Sequence, residues 1–428
     1  MERVVSFGGL FVMMGLAWAM STNRKKINFR IVAGGLALQF GMALLVLKTD
    51  PGHNFFWWLG DMFKNMQAFT DEGSKLVFGV NAGPDETEYP PHDTLIRTIT
   101  FGILPTIIFF SSVMSVLYYL GIVQIVVRAI AKAMQWTLGT SGAETLSAAS
   151  NIFVGQTEAP LVIKPYLPKM TESELMALMV GGFATIAGGV LAVYVGMGIN
   201  AGHLMTASVI SAPAALLIAK IMVPEVEAPE TAGGTIPEIK RTGTNVVEAA
   251  TLGATDGLKL ALNVAAMLIA FTALVAALDA LIVWSGELVE TAITVSSGKL
   301  VEIDWSLGMF LGYIFSPLAW AMGIPRSDVF HAGELLGLKM VANEFVAYSQ
   351  LTEWQKPDSA VQLTERTQII LTYALAGFAN FASVGIQIGG IGSLVPERQK
   401  DLARIAVKAM LGGTLACFMT ACIAGILL

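Results

Sequence analysis

The sequence predicts an all-α polytopic membrane protein. Three observations point there. Of its 428 residues, 54% are hydrophobic and only 14% charged, where a soluble domain carries about a quarter charged residues. About eight apolar runs approach the roughly 20 residues that a spanning helix needs. Two further apolar stretches are interrupted by Gly, Pro and polar residues, as re-entrant or discontinuous membrane segments are.

In order, the spanning runs are 4–20, 31–47, 95–120, 175–197, 204–222, 260–283, 367–388 and 405–427. The first follows Met1-Glu2-Arg3 directly and is succeeded by basic residues, so it reads as a retained helix rather than a cleavable signal. The interrupted stretches are 141–167 and 307–348. Three others, NFFWWLGDMFKNMQAF, VQIVVRAIAKAMQW and TNVVEAATLGATDGLKL, read as amphipathic helices packed on the bundle, with Trp57, Trp58 and Trp136 suited to the membrane interface. No low-complexity linker or soluble domain is visible.

The net charge of −6 matters less than where the charge sits. Arg24, Lys25, Lys26 and Arg30 follow the first run with no acid among them; Arg398, Lys400, Arg404 and Lys408 follow the seventh. The positive-inside rule puts both clusters in the cytoplasm. Eight crossings then leave both termini outside, together with the acidic VNAGPDETEYPPHD and with SGELVETAITVSSGKLVEIDW. Cys417 and Cys422 lie in the last run and offer neither a disulfide framework nor a metal-binding spacing.

The polar residues inside the apolar stretches carry the functional signal. GQTEAPLV is followed about 25 residues later by GGFATIAGGV, and NEFVAY about 35 residues later by AGFANFASVG. Each pair joins a Glu in an interrupted stretch (Glu158, Glu344) to a helix with Gly-Phe-Ala and a polar residue (Thr185, Asn380). The topology puts the first stretch on the cytoplasmic side and the second outside, which is the pattern of an inverted repeat with a site near the midplane. A carboxylate at mid-bilayer depth costs at least about 2.5–3.5 kcal/mol and marks a substrate or ion path by default; the plainer alternative is a hydrogen bond to a broken helix end. With Gln156, Asn343, Asn380 and Ser383 nearby in the pattern, two carboxylates suit a neutral, polyhydroxylated or heterocyclic solute. No Lys or Arg is expected at that depth, so an anion is disfavoured. Asn151, Val154 and Thr185 could supply an oxygen set for a hard monovalent cation, or simply cap the break.

Other classes fit less well. His53, His92, His203 and His331 form no HExxH, and GIQIGGIG lacks the Lys-Ser/Thr of a phosphate loop. No enzyme, organic cofactor or nucleic-acid partner is expected. A channel would not need two polar half-sites from opposite entrances.

GQTEAPLV, GGFATIAGG, SPLAWAMGIP, LKMVANEFVAY, GFANFASVGIQIGGIG and PERQKD resemble, in this order, the concentrative nucleoside transporters, in particular the bacterial eight-helix members. The resemblance runs from about residue 95 to the end. It implies an elevator-type homotrimer in the cell inner membrane, with two oppositely oriented re-entrant hairpins per protomer. It divides the chain into 1–94 (scaffold helices and interfacial helix), 95–138 (third helix and connector), 139–203 (first hairpin and following helix), 204–305 (scaffold helices and a long outer helix), 306–390 (second hairpin and following helix) and 391–428 (basic loop and last helix). By the same resemblance, Gln156, Thr157, Glu158 and Val190 would hold the nucleobase. Glu344, Asn380 and Ser383 would hold the ribose, with Phe378 beside it. Asn151, Val154, Thr185 and Ile186 would bind sodium. Thr185 stands where the family also has Ser. GQTEAPL with Asn151 resembles the sodium-coupled branch; a proton-coupled alternative would titrate a buried carboxylate.

Overall fold

The structure, a computed structural model, describes residues 1–78, 104–233, 244–297 and 305–428. The acidic stretch expected outside (80–93), the start of the third predicted run (95–103) and residues 298–304 lie outside the described residues. Every regular element among the described residues is helical. Six helices there are long and apolar enough to cross a membrane, and a bent pair brings the number to as many as seven.

Two apolar helices come first, α1 (Glu2–Ala19) and α2 (Phe29–Lys48), then the amphipathic α3 (Asp50–Phe78). α1 buries only a seam, Ser6, Gly9, Leu10, Met13 and Ala17, and leaves Val4, Phe7 and Phe11 exposed. α4 (Leu104–Tyr119) and α5 (Ile122–Leu138) meet at 75°. Gly121, at φ 83°, makes that corner in the left-handed region that suits glycine. The expected span ending at 120 and the amphipathic stretch after it are thus two helices around one turn.

The first interrupted stretch folds as α6 (Gly142–Ser150), an irregular tip, α7 (Ala159–Val162) and a 3-10 segment, Lys164–Lys169. α8 (Glu172–Ala184) and α9 (Gly188–Gly196) follow, then α10 (Ala201–Met222). α10 is apolar and buried on all sides, as a core helix should be. It packs with α8 and with the last helix, α17 (Gln399–Leu427), in the centre of the molecule.

α11 (Val246–Ser297) is one helix of 52 residues, joining the amphipathic 244–260 to the expected span 260–283. The stretch 307–348 differs from expectation. Its first part is an intact apolar helix, α12 (Leu307–Ala321), which carries Pro317 without breaking. The break comes later, between α13 (Val329–Val341) and α14 (Glu344–Trp354). α15 (Glu365–Leu375) and α16 (Phe381–Leu394) complete the order before α17.

Runs 175–197 and 367–388, each expected as one helix, are therefore broken, at 185–187 and at 376–380. The Gly-Phe-Ala match does not mark equivalent places. Gly182-Phe183-Ala184 closes α8, whereas Gly377-Phe378-Ala379 lies inside the second break. Thr185 is thus the C-cap of the first half-helix and Asn380 the N-cap of the second.

The two hairpins enter from opposite ends. The base of the first is tied at the basic end: Arg398 donates to the carbonyls of Pro168 and Met170, and Arg404 to Glu172. The base of the second is tied near the termini. Arg366, in the first turn of α15, donates to the carbonyls of Gly323 and Gly425. Arg3 donates to the Leu428 carbonyl, so both chain ends share that end of the molecule.

Candidate substrate and ion site

Each half brings a hairpin tip to the break of a following helix. At the second tip, Asn343 caps α14 by accepting from the Val346 N–H at 2.9 Å. This sets Glu344 in the first turn, where the helix dipole favours a carboxylate. Glu344 is buried and fully engaged. Its Oε1 accepts from the Tyr194 hydroxyl at 2.9 Å and its Oε2 from Asn380 Nδ2 at 2.8 Å. Asn380 in turn caps α16, its Oδ1 accepting from the Ser383 N–H at 2.8 Å.

The same polar row reaches the first hairpin. Gln156 Nε2 donates to Ser383 Oγ at a long 3.3 Å, and Gln156 Oε1 accepts from Gln387 Nε2 at 3.0 Å. Gln387 also donates to the Met179 carbonyl at 3.1 Å. Tyr194, Glu344, Asn380, Ser383, Gln156 and Gln387 thus form one continuous polar row linking hairpins that start at opposite ends. Of the expected substrate residues, the row holds Gln156, Glu344, Asn380 and Ser383. Val190 lies one turn before Tyr194 on α9 and is buried; Phe378 is partly buried in the second break. Thr157 lays its methyl over Gly390 of α16.

Glu158 stands apart from the row. Its carboxylate turns back over its own loop, bonded by the Thr157 side chain and local backbone N–H groups, and a Cβ on Gly155 would collide with its Oε2. Glu158 keeps accessible surface at the tip although protein atoms surround its carboxylate, whereas Glu344 is enclosed. Tyr194 and Gln387 were not among the expected residues. Gln387 had a visible signal: it lies four residues after Ser383 and seven after Asn380, on the same face of an otherwise apolar helix. Tyr194 had none, since a Tyr in an apolar run reads as core.

The expectation that no basic group sits at this depth fails. Lys339 is 1% exposed and donates through Nζ to the Ala374 carbonyl at 2.9 Å. It lies behind Glu344 rather than in the polar row, so it does not turn the site into an anion site.

The first tip supplies the candidate ion site. The Gly188 N–H donates to the Phe153 carbonyl at 3.1 Å, joining the irregular 151–154 to the break at 185–187. Asn151 is 1% exposed, and neither Oδ1 nor Nδ2 has a hydrogen-bond partner. A buried amide with both ends unsatisfied is rare and costly, and it is what a cation-coordinating oxygen looks like without its cation. Asn151 faces Gly181 of α8, whose carbonyl accepts the Thr185 hydroxyl at 2.9 Å. Thr185 and Ile186 are buried opposite, and Val154 lies at the end of the tip turn. Among the described residues no three His, Cys, Asp or Glu side chains gather. Neutral oxygens of this kind suit a hard monovalent cation.

Comparison with known proteins identifies the family. Residues 203–425 match the Na+ dependent nucleoside transporter C-terminus, residues 8–81 its N-terminus, and residues 100–201 a nucleoside recognition (gate) model. An uncharacterized transporter of Haemophilus influenzae is 44% identical over all of this chain and 98% of its own length. Sodium/nucleoside cotransporter 1 of Mus musculus is 41% identical and human solute carrier family 28 member 3 is 42% identical; the chain spans 64% and 60% of their lengths. The structure of CNTnw in an inward-facing substrate-bound state superposes with a TM-score of 0.88 at 41% identity, covering 100% of this chain and 98% of that one. A doubly substituted CNTnw in an outward-facing state gives 0.86 at 40% identity, with the same coverage. The chain belongs to the sodium-dependent, concentrative nucleoside transporter family, whose members are transporters and not enzymes.

Proposed function

We propose that this protein is a symporter that imports nucleosides, uridine-like pyrimidine and some purine nucleosides, down the sodium gradient. The observation that carries the reading is the polar row from Tyr194 to Gln387, which neither hairpin completes alone. Ribose hydroxyls would donate to the remaining lone pairs of Glu344 and bond Asn380 and Ser383, with Phe378 against the sugar. A base would replace the long Gln156–Ser383 contact, with Thr157, Glu158 and Val190 around it. Glu158 would reach such a base by giving up its bonds to its own loop.

Sodium would bind between Asn151, the tip carbonyls at Val154, Thr185 and Ile186. Binding there ties the first hairpin to the break of α8 and α9, which positions Gln156 and Val190. Sodium therefore favours substrate through the shape of the site, and differential affinity of this kind is what coupling requires. One charge crossing 100 mV is worth about 2.3 kcal/mol, and a tenfold sodium gradient adds about 1.4 kcal/mol. Together they support roughly 500-fold accumulation at one sodium per nucleoside. A proton-coupled cycle through a buried carboxylate is the second reading; the orphaned Asn151 amide favours sodium.

The loaded hairpins and broken helices would move as one body against α1–α4 and the outer helices, in an elevator cycle. Exposed apolar faces on α1, α2 and α11 (Phe7, Phe11, Leu44, Leu45, Leu262, Ile269) suit lipid and the interfaces of a homotrimer. The basic end would face the cytoplasm and both termini the outer side of the inner membrane. Uptake of radiolabelled uridine into proteoliposomes, with imposed sodium or proton gradients and competing nucleosides, tests the reading. Accumulation driven by sodium alone is expected. Accumulation driven only by a proton gradient would replace sodium with protons, and none under either gradient would remove the symport reading.

A further inference from the structure

We propose that Lys339 is a tethered cation that does for the second half what sodium does for the first, and so limits the transporter to one ion. The inference rests on the sodium reading of Asn151 given above.

The two halves present the same structural problem. In each, the last turn of a hairpin arm meets the C-terminal end of a broken helix: α6 meets α8, and α13 meets α15. The end of a half-helix exposes carbonyls and the negative pole of its dipole, which attract a cation. In the first half the hairpin arm offers Asn151, a neutral amide with both polar atoms unpartnered, against the end of α8. In the second half the corresponding place is taken by Lys339. Its ammonium is buried and donates to the Ala374 carbonyl at 2.9 Å in the last turn of α15.

Cys417 ties the two places together. Its sulfur lies 3.6 Å from the Ala184 carbonyl at the end of α8 and 3.4 Å from the Ala376 carbonyl at the end of α15. The breaks cross here at Gly377, where a Cβ would stand 2.6 Å from that sulfur and 2.7 Å from the Phe183 carbonyl. Two equivalent helix ends thus back onto one thiol. One carries a covalently attached positive charge and the other carries an empty-handed amide. Lys339 lies five residues before Glu344 on the same hairpin, so a fixed charge there would hold the second hairpin ready for substrate without an ion. It is a positioning residue and lies outside the polar row.

The test is the sodium dependence of nucleoside binding and uptake in purified, reconstituted Lys339→Asn and Lys339→Gln, beside Lys339→Arg and Asn151→Leu. The neutral variants are expected to lose nucleoside affinity at low sodium by at least ~5-fold and to regain it at high sodium. Their sodium curve should turn from first to second order, and the charge moved per nucleoside should rise from one towards two. Lys339→Arg should keep the first-order curve. Neutral variants whose curve stays first order, or whose binding is lost at every sodium concentration, would overturn the proposal. If the unsubstituted protein itself ignores sodium, or if Asn151→Leu leaves its sodium curve in place, the underlying sodium reading fails instead.

Discussion

At the first hairpin tip eight residues, 151–158, separate α6 from α7, and the buried Asn151 amide has no hydrogen-bond partner. At the second tip two residues, Ala342 and Asn343, separate α13 from α14, and the carboxylate behind them has a donor on each oxygen. The halves share an architecture and differ in completeness. The second tip is short and its carboxylate is hydrogen-bonded on both oxygens; the first is long, and its buried Asn151 amide has no hydrogen-bond partner. On the sodium reading proposed above, such a site would recognise its solute with one half while an ion sets the other, and so couple the two.

The largest effect should come from breaking the completed half. Replacing Glu344 with Ala leaves the Tyr194 hydroxyl and the Asn380 amide buried without their acceptor. The variant also loses the two ribose bonds proposed for this carboxylate, and at about 1.5–3 kcal/mol each they put the loss of nucleoside affinity at roughly 100-fold or more. Glu344→Gln, which keeps the shape and loses the charge, should recover only part of it. Equilibrium binding of uridine to the purified protein decides; near-normal affinity in Glu344→Ala would remove the ribose assignment.

Breaking the incomplete half should act on the ion first. Asn151→Leu removes a buried, unpartnered amide that faces Gly181 near the end of α8. The half-maximal sodium concentration for uptake should rise about tenfold, the equivalent of about 1.4 kcal/mol, while uridine affinity at saturating sodium changes less. An unchanged sodium curve would reduce Asn151 to a helix cap. A smaller effect belongs to the link between the halves. Gln387→Leu strips Gln156 of its donor at 3.0 Å and leaves Glu344 untouched. Affinity for uridine should fall by about fivefold, with discrimination between bases relaxed, since one neutral hydrogen bond is worth about 1 kcal/mol. Equal losses for every nucleoside would show that Gln387 only packs the crossing.

These comparisons also show what sequence could and could not reveal. The helical membrane architecture and the two polar hairpins were legible because a carboxylate such as Glu344 in an apolar stretch demands a partner. The breaks within 175–197 and 367–388 were not, because hydropathy runs through them unchanged and no proline marks either. The intact α12 was hidden for the opposite reason: Pro317 and nearby glycines imitate a break that neighbouring helices absorb. Lys339 was missed because an interrupted stretch gives no register from which to read a side chain's depth, and only its 2.9 Å bond to Ala374 places it inside. The roles of Glu158 and Glu344 looked symmetric in sequence. In space one is exposed on its own loop and the other is buried in a network.

The smallest effect concerns how the second hairpin is moored. Asp328, in the turn between α12 and α13, is 3% exposed. Its Oδ2 accepts from the Thr364 N–H, the Thr364 hydroxyl and the Thr367 hydroxyl, and its Oδ1 from Ser327. Burial pushes this carboxyl up, but the donors outweigh it and hold it below its ordinary value of 3.8. A carboxylate depressed in the folded state adds stability that is complete above the unfolded value and is lost as pH falls through the folded one. Asp328→Asn should therefore lower the melting temperature in detergent by a few degrees at neutral pH, for a loss on the order of 1–2 kcal/mol. The gap between variant and unsubstituted protein should narrow below about pH 4. Uridine affinity should hardly move, because the mooring lies at the hairpin base and the polar row at its tip. A gap that stays constant with pH would mean that Asp328 works through packing rather than charge. A matching loss of uridine affinity would mean that the base and the tip of this hairpin are not independent, and the contrast between a rigid second half and an ion-dependent first half would then have to be drawn less sharply.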